Sequence, residues 1–569
     1  MPGGSPQKGP RAAAAGALAR TARRIRQHPR IVTPVAAALV ALLVLLVNGL
    51  SPAQPPARRA GRVVDAACGV DQVSLARMAR DYFPSRTGDL QLVPTPPDFV
   101  AGPHGEITHE GIEPNLQHVP LLVFGPGYIR RGPFVYRPVT TAAIAPTFAR
   151  LLGFAPRTWF PDEAPLAEAL KTPPDSPRPP KLVVTVVWEG VGRDVLTKWP
   201  HSWPYLRQLR RRGTWYEKAN AGSSPSAGAT VQASTGTGAY PRSHGLVGDS
   251  FRLGTRITGA WSRGPSELQA PTLADLYDRA QGNRPLIGLI GADTAGLGLV
   301  GHGNSFPGGD RDIVAIHSGS SPDRWGLPDA PFGRDYRALR SLSSVSGLTQ
   351  SDRKLDALDG ARDGRWDGIS IASLGGGFDT PAGAEYETQV AERLVRDQHF
   401  GRDRVPDLLF VSYPMGQMAE QRWGMGSVQT GDTLQTLDQQ LLALRSFLNR
   451  AVGKSQWVMV LTADHGARGI PKYTGAYAID PGNLTADLQR RFGGGAGKPS
   501  VVQGVSPTQI WMDVKRLSAR GFTLYDVSRF LLDYTVADNS SKHAEGGAQR
   551  VFQAAFPSAL FPVLPCLGS

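Results

Sequence analysis

Cysteine is almost absent from this chain, because its 569 residues include only Cys68 and Cys566. At most one disulfide can therefore form within the chain, and a location outside the cytoplasm would allow it. The alternative is a pair of unpaired, buried thiols. Internal repeats are also lacking, as are long low-complexity tracts outside the N-terminal tail and the linkers. With 41% hydrophobic residues and aromatic residues throughout, the bulk of the chain is globular rather than disordered.

Acidic residues are missing from the first 30 positions, where basic residues accumulate. The basic residues of this tail are Lys8, Arg11, Arg20, Arg23, Arg24, Arg26 and Arg30. The formal net charge of +14 is therefore partly a signal of membrane topology. No basic stripe interleaved with aromatic residues occurs elsewhere in the sequence, so we expect no nucleic-acid binding.

A single uncharged apolar run, IVTPVAAALVALLVLLVNGL at residues 31–50, follows the basic tail. It is about as long as the hydrocarbon core of a bilayer requires. The preceding arginines predict a cytoplasmic N-terminus and an extracytoplasmic bulk. A cleaved signal peptide is the alternative, but no A-x-A site follows and the run is long for such a segment. We therefore expect a single-pass protein of the cell membrane.

Pro-rich stretches divide the remainder of the chain. The predicted organisation is a basic cytoplasmic tail (1–30), a transmembrane anchor (31–50), a linker (51–65), a first outer segment (66–156), a Pro-rich connector (157–180) and a main outer segment (181–569). In the first outer segment, GDLQLVP and VPLLVFGPG predict strands, whereas Val73–Arg80 and RPVTTAAIAPTFARLLGF predict helices. We expect the second of these helices to start near Thr140 or Thr141.

Strands and helices alternate in the main outer segment. LVVTVVWEG is a continuous β-branched run, typical of a strand buried on both faces of a parallel sheet. PLIGLIGA, DLLFVSY and WVMVLTAD predict further strands. The segment DTLQTLDQQLLALRSFLNRAV predicts a helix with one apolar stripe, formed by Leu434, Leu437, Leu441, Leu444 and Phe447. The pattern predicts an α/β fold with a mostly parallel central sheet and helices on both faces. Function in such sheets gathers at the carboxyl ends of the strands.

Polar side chains follow three of the predicted strands. They are Glu189 in VVWEG, Gln417 and Gln421 in FVSYPMGQMAEQRWGM, and Asp464 and His465 in VLTADHGA. Together with TGAYPRSHGLVG, these motifs resemble the alkaline phosphatase superfamily, in particular its type I phosphodiesterase and nucleotide pyrophosphatase branch. The resemblance covers roughly the whole outer domain and implies an alkaline phosphatase-like fold.

The resemblance implies a site for two divalent metals, usually zinc, which flank a phosphoryl group. Asp464 and His465 match the family's Asp-His-Gly pair. Glu189 stands where the family has an Asp, so the charge is kept on a side chain one methylene longer. Gly228 falls at the position of the nucleophilic Thr or Ser. Covalent chemistry by the family mechanism therefore has no side chain at this position.

Two further ligand positions are changed. Gln417 and Gln421 fall where the family has the Asp and the His of a spaced metal-binding pair. Glutamine is a weak neutral ligand and does not replace a carboxylate or an imidazole on zinc. The cofactor implied for this chain is zinc or another divalent cation at one site, or no metal at all.

The last metal ligand of the family lies in an unusual place. THEGIEPNLQHVPLLVFGPG at residues 108–127 resembles a segment that comes late in relatives, and His109 takes its ligand position. RPVTTAAIAPTFARLLG then resembles the family's closing helix. Residues 66–156 are therefore the permuted C-terminal segment of a circularly permuted domain. This order brings both ends of the outer domain near one cut point, which favours a disulfide between Cys68 and Cys566.

Several of these residues also have structural explanations. Glu189 would be satisfied by Arg193 or by the backbone at a helix N-terminus. His109 would be a loop histidine, and His244 fixes the loop after a helix. Substitute nucleophiles are conceivable, although helix-capping and turn roles explain the same residues, which are Ser223, Ser224, Ser226 and Thr230.

Three functions compete. The first is a degenerate superfamily member that binds an unknown ligand or protein partner at the cell envelope. The second is a hydrolase of phosphodiesters or phosphomonoesters in which one metal at Glu189, Asp464 and His465 activates water. The third is a purely structural envelope module. Loss of two metal ligands and the nucleophile favours the first, because even weaker perturbations of metal sites cost roughly 10–100-fold in activity.

Overall fold

The computed structural model describes residues 57–156, 159, 161–317, 325–327, 332–338, 353–374, 378–494, 497–540 and 547–567. The predicted tail and the predicted anchor at residues 31–50 lie outside this range. Within the described residues, no helix combines the length and the apolar character that a membrane crossing requires.

The α-helices of the described residues are α1 Ala57–Cys68, α2 Gln72–Arg80, α3 Pro114–Gln117, α4 Ile144–Leu151, α5 Arg193–Lys198, α6 Pro204–Arg210, α7 Gly228–Thr237, α8 Pro241–His244, α9 Leu273–Ala280, α10 Leu297–Val300, α11 Pro381–Gln398, α12 Met415–Trp423, α13 Val428–Leu448, α14 Pro471–Thr474, α15 Pro481–Phe492, α16 Val514–Ala519, α17 Leu524–Leu532 and α18 Val536–Asn539.

The strands are β1 Leu90–Pro94, β2 Phe99–Val100, β3 Leu121–Phe124, β4 Phe134–Thr140, β5 Leu182–Trp188, β6 Thr214–Asn220, β7 Ser250–Leu253, β8 Arg256–Gly259, β9 Ile287–Gly291, β10 Asp312–His317, β11 Trp325–Gly326, β12 Tyr336–Ala338, β13 Arg365–Trp366, β14 Ile369–Ser370, β15 Asp407–Tyr413, β16 Trp457–Thr462, β17 Ala478–Ile479, β18 Val502–Val505, β19 Gln509–Met512 and β20 Phe552–Pro557.

A ten-stranded sheet lies at the centre, in the order β11-β10-β9-β15-β5-β16-β3-β6-β4, with β12 paired to β10. Its core, from β10 to β16, is parallel. β3 comes from the first outer segment and runs antiparallel to both β16 and β6. The sheet is therefore mixed but mostly parallel, as predicted.

Helices cover both faces of this sheet. All seven residues of β5 are buried, and alternate side chains enter two separate hydrophobic clusters. The predicted apolar stripe of α13 is confirmed, because its leucines and Phe447 pack in the first cluster. α4 and α7 pack in the second. Burial on both faces explains why β5 has no alternation of polar and apolar residues.

The helix predicted from Thr140 or Thr141 starts later than expected. Residues up to Thr140 belong to β4, a single 3₁₀ turn follows, and α4 begins at Ile144. β4 pairs in parallel with β6 at the edge of the sheet, where its internal Pro138 is tolerated. Pairing with β6 therefore makes strand residues of positions that the local sequence pattern assigns to the helix.

A second, antiparallel sheet joins the two ends of the described chain. Its order is β18-β19-β1-β20, and Leu90 of β1 pairs with Pro557 of β20. The predicted disulfide between Cys68 and Cys566 is confirmed, with the two Cα atoms 5.6 Å apart. α1 ends at Cys68 and overlaps the predicted linker at 51–65, so the last part of that linker is helical.

Candidate functional site

The carboxyl ends of three adjacent strands position the central residues of the site. Glu189 directly follows β5, Asp464 follows β16, and Gln417 lies in α12 just after β15. β5 lies between the other two strands, and all three are parallel. Their carboxyl ends therefore meet at one edge of the sheet, which is where α/β proteins place their sites.

A cavity of about 200 Å³ opens at this edge. Five of the residues singled out in the sequence line it, namely His109, Glu189, Gly228, Gln417 and Asp464. Four of its lining residues are carboxylates, and the lining contains neither Lys nor Arg.

Two histidines and two glutamines form one contact network beside the cavity. The rings of His109 and His465 stack with their centroids 3.9 Å apart. Oε1 of Gln417 lies 3.1 Å from Nε2 of His465, and Nε2 of Gln421 lies 3.3 Å from Nδ1 of His109. Burial, with the charges of His465 and Arg468, lowers the pKa of His109 well below its ordinary value. The structure therefore brings together residues that lie more than 350 positions apart in the chain.

Asp464 connects this network to the start of α7. Its Oδ1 accepts backbone hydrogen bonds from Gly190, at 3.2 Å, and from His465, at 2.9 Å. Its Oδ2 lies 3.3 Å from where a Cβ on Gly228 would be. Gly228 is the first residue of α7, so the position predicted for the nucleophile faces Asp464 and carries no side chain.

Glu189 is buried and bonded to neutral groups. Its Oε1 accepts hydrogen bonds from Ser412 Oγ at 2.5 Å and from Gln232 Nε2 at 3.4 Å. Burial, and then the charges of Asp293 and Asp464, raise the pKa of Glu189 well above its ordinary value. The suggested pairing of Glu189 with Arg193 is wrong.

Arg193 has a different partner. Its guanidinium bonds to Glu217 at 2.8 Å, because α5 directs the arginine towards β6 rather than towards the cavity. His244, in contrast, fixes the turn after α8 as predicted. Its Nδ1 accepts a hydrogen bond from the Leu246 backbone, and Ser234 contacts its Nε2 at 2.9 Å.

Sequence reasoning missed two carboxylates that line the cavity. Asp293 comes two residues after β9, and Asp249 ends the GLVGD motif. Burial raises the pKa of Asp293 to about 6, helped by the charges of Asp249 and Asp464. Burial likewise raises the pKa of Asp249, against a backbone hydrogen bond from Ala229. Asp293 could have been found, because it too follows a strand.

Two further acidic groups lie deeper. Glu387, on α11, is fully buried, and neither carboxyl oxygen has a hydrogen-bond partner among the described residues. Its pKa is raised well above the ordinary value by burial and then by Asp293. Burial, and then the charge of Asp464, likewise raise the pKa of Glu420, on α12, well above its ordinary value. Both residues lie on helices, and a search for polar residues at strand ends does not find them.

The residues present do not fit a two-zinc centre. Gln417 and Gln421 contribute neutral amides, and His109 stacks on His465 instead of opening towards a shared ion. In the part of the chain that the structure describes, no three carboxylate or imidazole ligand atoms around this cavity lie within 4.8 Å of one another. The ligand atoms of Glu189, Asp464 and His465, the set predicted for one cation, are therefore not all within that distance of one another.

Comparison with known proteins identifies the family of the chain. The type I phosphodiesterase / nucleotide pyrophosphatase family matches residues 183–527. The chain belongs to this family and, with it, to the alkaline phosphatase superfamily. The matched region contains Glu189, Gly228, Gln417, Asp464 and His465, whereas residues 66–156 lie outside it.

Similar proteins are distant in sequence. Alkaline phosphatase PafA of Elizabethkingia meningoseptica is 20% identical over 398 residues, which is 62% of this chain and 72% of PafA. Alkaline phosphatase PhoV of Synechococcus elongatus is 21% identical over 332 residues, which is 52% of this chain and 60% of PhoV. The crystal structure of wild-type PafA aligns with a TM-score of 0.49 and 16% identity, covering 67% of this chain and 85% of PafA.

Proposed function

We propose that this protein is a catalytically degenerate member of the alkaline phosphatase superfamily, which binds a ligand or a protein partner at the cell envelope without hydrolysing phosphoesters. The observation that carries the proposal is Gly228. It occupies the nucleophile position opposite Asp464, and it has no atom that could attack phosphorus.

The nearby hydroxyls do not take over this role. Ser224 Oγ donates to the Gly111 carbonyl and Ser226 Oγ donates to the His109 carbonyl. Ser223 and Thr230 are fully buried. Ser224 and Ser226 therefore hold the loop that carries His109, as the predicted turn role implies, whereas the predicted helix-capping role is wrong because no side chain caps the start of α7.

Electrostatics point the same way. The cavity presents four carboxyl groups, three of which have a raised pKa, and neither Lys nor Arg, so no side chain of its lining attracts an anionic phosphoester unless a cation is bound. Relatives of the family place two metals at this edge, but two of those ligand positions are glutamines here. The ligand chemistry that fits the cavity is therefore cationic rather than anionic.

The envelope location rests on the sequence and on the disulfide. We propose that residues 31–50 anchor the protein and that residues 66–156 are the permuted C-terminal segment of its single outer domain. β1 and β20, from opposite ends of that domain, are neighbours in one sheet. A disulfide beside this sheet suits an oxidising compartment.

A second candidate is a hydrolase with one metal. The observation in its favour is the acidic cavity itself, because buried carboxylates without counter-charges are costly and a cation held by Glu189 and Asp464 would relieve them. Such a cation would lower the pKa of a bound water and so supply a nucleophile.

Metal analysis and turnover separate the two candidates. The purified protein should contain less than stoichiometric zinc and should not hydrolyse nitrophenyl phosphate or bis-nitrophenyl phosphate above background. Stoichiometric zinc together with turnover that Asp464→Ala abolishes would establish the hydrolase instead. Asp194→Ala, at an exposed position, is the matched control because it removes a carboxylate away from the cavity lining.

A further inference from the structure

Three aspartates converge at the opposite edge of the central sheet. Asp278 lies in the last turn of α9, Asp310 precedes β10, and Asp312 is the first residue of β10. Each offers one carboxylate oxygen, and the three oxygens all lie within 4.8 Å of one another. β10 runs parallel to β9, so the start of β10 and the Asp293 that follows β9 are at opposite edges. This aspartate cluster is therefore separate from the acidic cavity.

Burial makes the cluster unusual. The exposed fractions of Asp278 and Asp312 are only 4% and 6%, whereas Asp310 is exposed. Oδ1 of Asp278 is completely buried and has no hydrogen-bond partner among the described residues. A buried carboxylate that lies beside two other carboxylates, and has one oxygen without a donor, is strongly unfavourable unless a cation or a shared proton lies between the three groups.

Neighbouring buried aspartates, in contrast to Asp278, accept hydrogen bonds from nearby donors. Asp275, on the same helix as Asp278, accepts hydrogen bonds from the Thr272 backbone and from the His302 backbone, at 2.8 and 2.7 Å. It also contacts the Thr272 hydroxyl and the His302 ring. Asp335 accepts a hydrogen bond from Ser305. Asp278 Oδ1, in contrast, has no protein donor among the described residues.

We propose that Asp278, Asp310 and Asp312 bind a calcium ion. All-oxygen, carboxylate-rich ligand sets select hard cations, and the absence of His and Cys from this set argues against zinc. Magnesium normally keeps most of its waters and uses one or two carboxylates, whereas calcium accepts three carboxylates in flexible geometry. The exposed Asp310 leaves one side of the ion accessible to water. The ion ties the end of α9 to the start of β10.

Calcium-dependent thermal unfolding of the purified full-length chain tests this proposal. After removal of metals with a chelator, calcium at about one hundred times its Kd should raise the unfolding temperature by about 2–3 °C, given the size of the outer domain. The shift should persist in Asp464→Asn, which alters only the acidic cavity. It should disappear in Asp278→Asn/Asp312→Asn. A shift that survives the double substitution, or no shift in the unsubstituted protein, overturns the proposal.

A milder variant keeps the test decisive if the buried double variant does not fold. Asp310 is exposed, so Asp310→Asn should unfold at the same temperature as the unsubstituted protein without calcium. Its calcium Kd, measured by titration calorimetry, should rise at least tenfold, whereas Asp194→Asn should leave the Kd unchanged. Equal Kd values for Asp310→Asn and Asp194→Asn would refute the site. Because the readout is calcium binding, it is independent of the proposed loss of hydrolysis.

Discussion

Replacing the two cysteines tests how the ends of the outer domain are held together. The disulfide closes a loop whose ends are 498 positions apart. In the chain-entropy model such a loop contributes about 6 kcal/mol by restricting the unfolded chain, whereas natural disulfides more often contribute about 2–5 kcal/mol. With about 2.1 cal/mol/K of unfolding entropy per residue over roughly 500 residues, these values correspond to about 2–6 °C.

Cys68→Ser, Cys566→Ser and the double variant should therefore all unfold about 2–6 °C below the unsubstituted protein in differential scanning calorimetry. The three shifts should be equal, because each variant breaks the same bond. The unreduced, denatured protein should contain no free thiol. Two free thiols, a shift below about 1 °C, or single variants that add up to the double variant would refute the proposed role of the disulfide.

Three further predictions concern buried charge and the space at Gly228. Arg468 is buried and bonded to Glu113, so Arg468→Met should lower the free energy of unfolding by about 3–5 kcal/mol. Arg490→Met, which removes an exposed guanidinium paired with Asp487, should lower it by less than about 1 kcal/mol. Similar losses in the two variants would contradict this. Burial raises the pKa of Asp407 to about 7, so the folded protein holds a proton that the unfolded chain releases near pH 4. The stability that this proton contributes should be lost as the pH rises from about 4 to about 7. Asp407→Asn should therefore flatten the dependence of the urea midpoint on pH in this range. An unchanged dependence would contradict a raised pKa at Asp407. Gly228→Thr should change the unfolding temperature by less than about 2 °C, because the atom nearest to an added Cβ is 3.3 Å away. A larger decrease would show that the structure has no room for a side chain at this position.

Much of the candidate site was predictable, because the carboxyl ends of neighbouring parallel strands lie at the same edge of the sheet. Glu189, Asp464 and Gln417 follow strands that proved adjacent, so their meeting follows from the fold class. His109 was predictable only through the family resemblance. Its loop precedes β3, an antiparallel strand whose place beside β16 no local pattern specifies.

The parts that could not be predicted depend on tertiary packing. Glu387 and Glu420 lie on helices, and only the packing of α11 and α12 brings them close enough to Asp293 and Asp464 for these charges to raise their pKa values. β4 contains Pro138 and mostly exposed residues, so its pairing with β6 is not visible in its composition. The aspartate cluster around Asp278 is formed by a helix end and a strand start, which are 34 residues apart and joined only by the fold.

The most direct test of the account is to restore the family residues. Gln417→Asp, Gln421→His and Gly228→Thr together restore the family's residues at two metal-ligand positions and at the nucleophile position. Gln417 and Gly228 line the cavity, and Gln421 contacts His109 beside it. The account predicts that the folded triple variant binds zinc stoichiometrically and hydrolyses a nitrophenyl phosphate ester, and that adding Asp464→Ala removes both properties. If the unsubstituted protein already turns over these substrates, or if the folded triple variant gains neither metal nor activity, the central claim of a degenerate phosphoesterase site is contradicted.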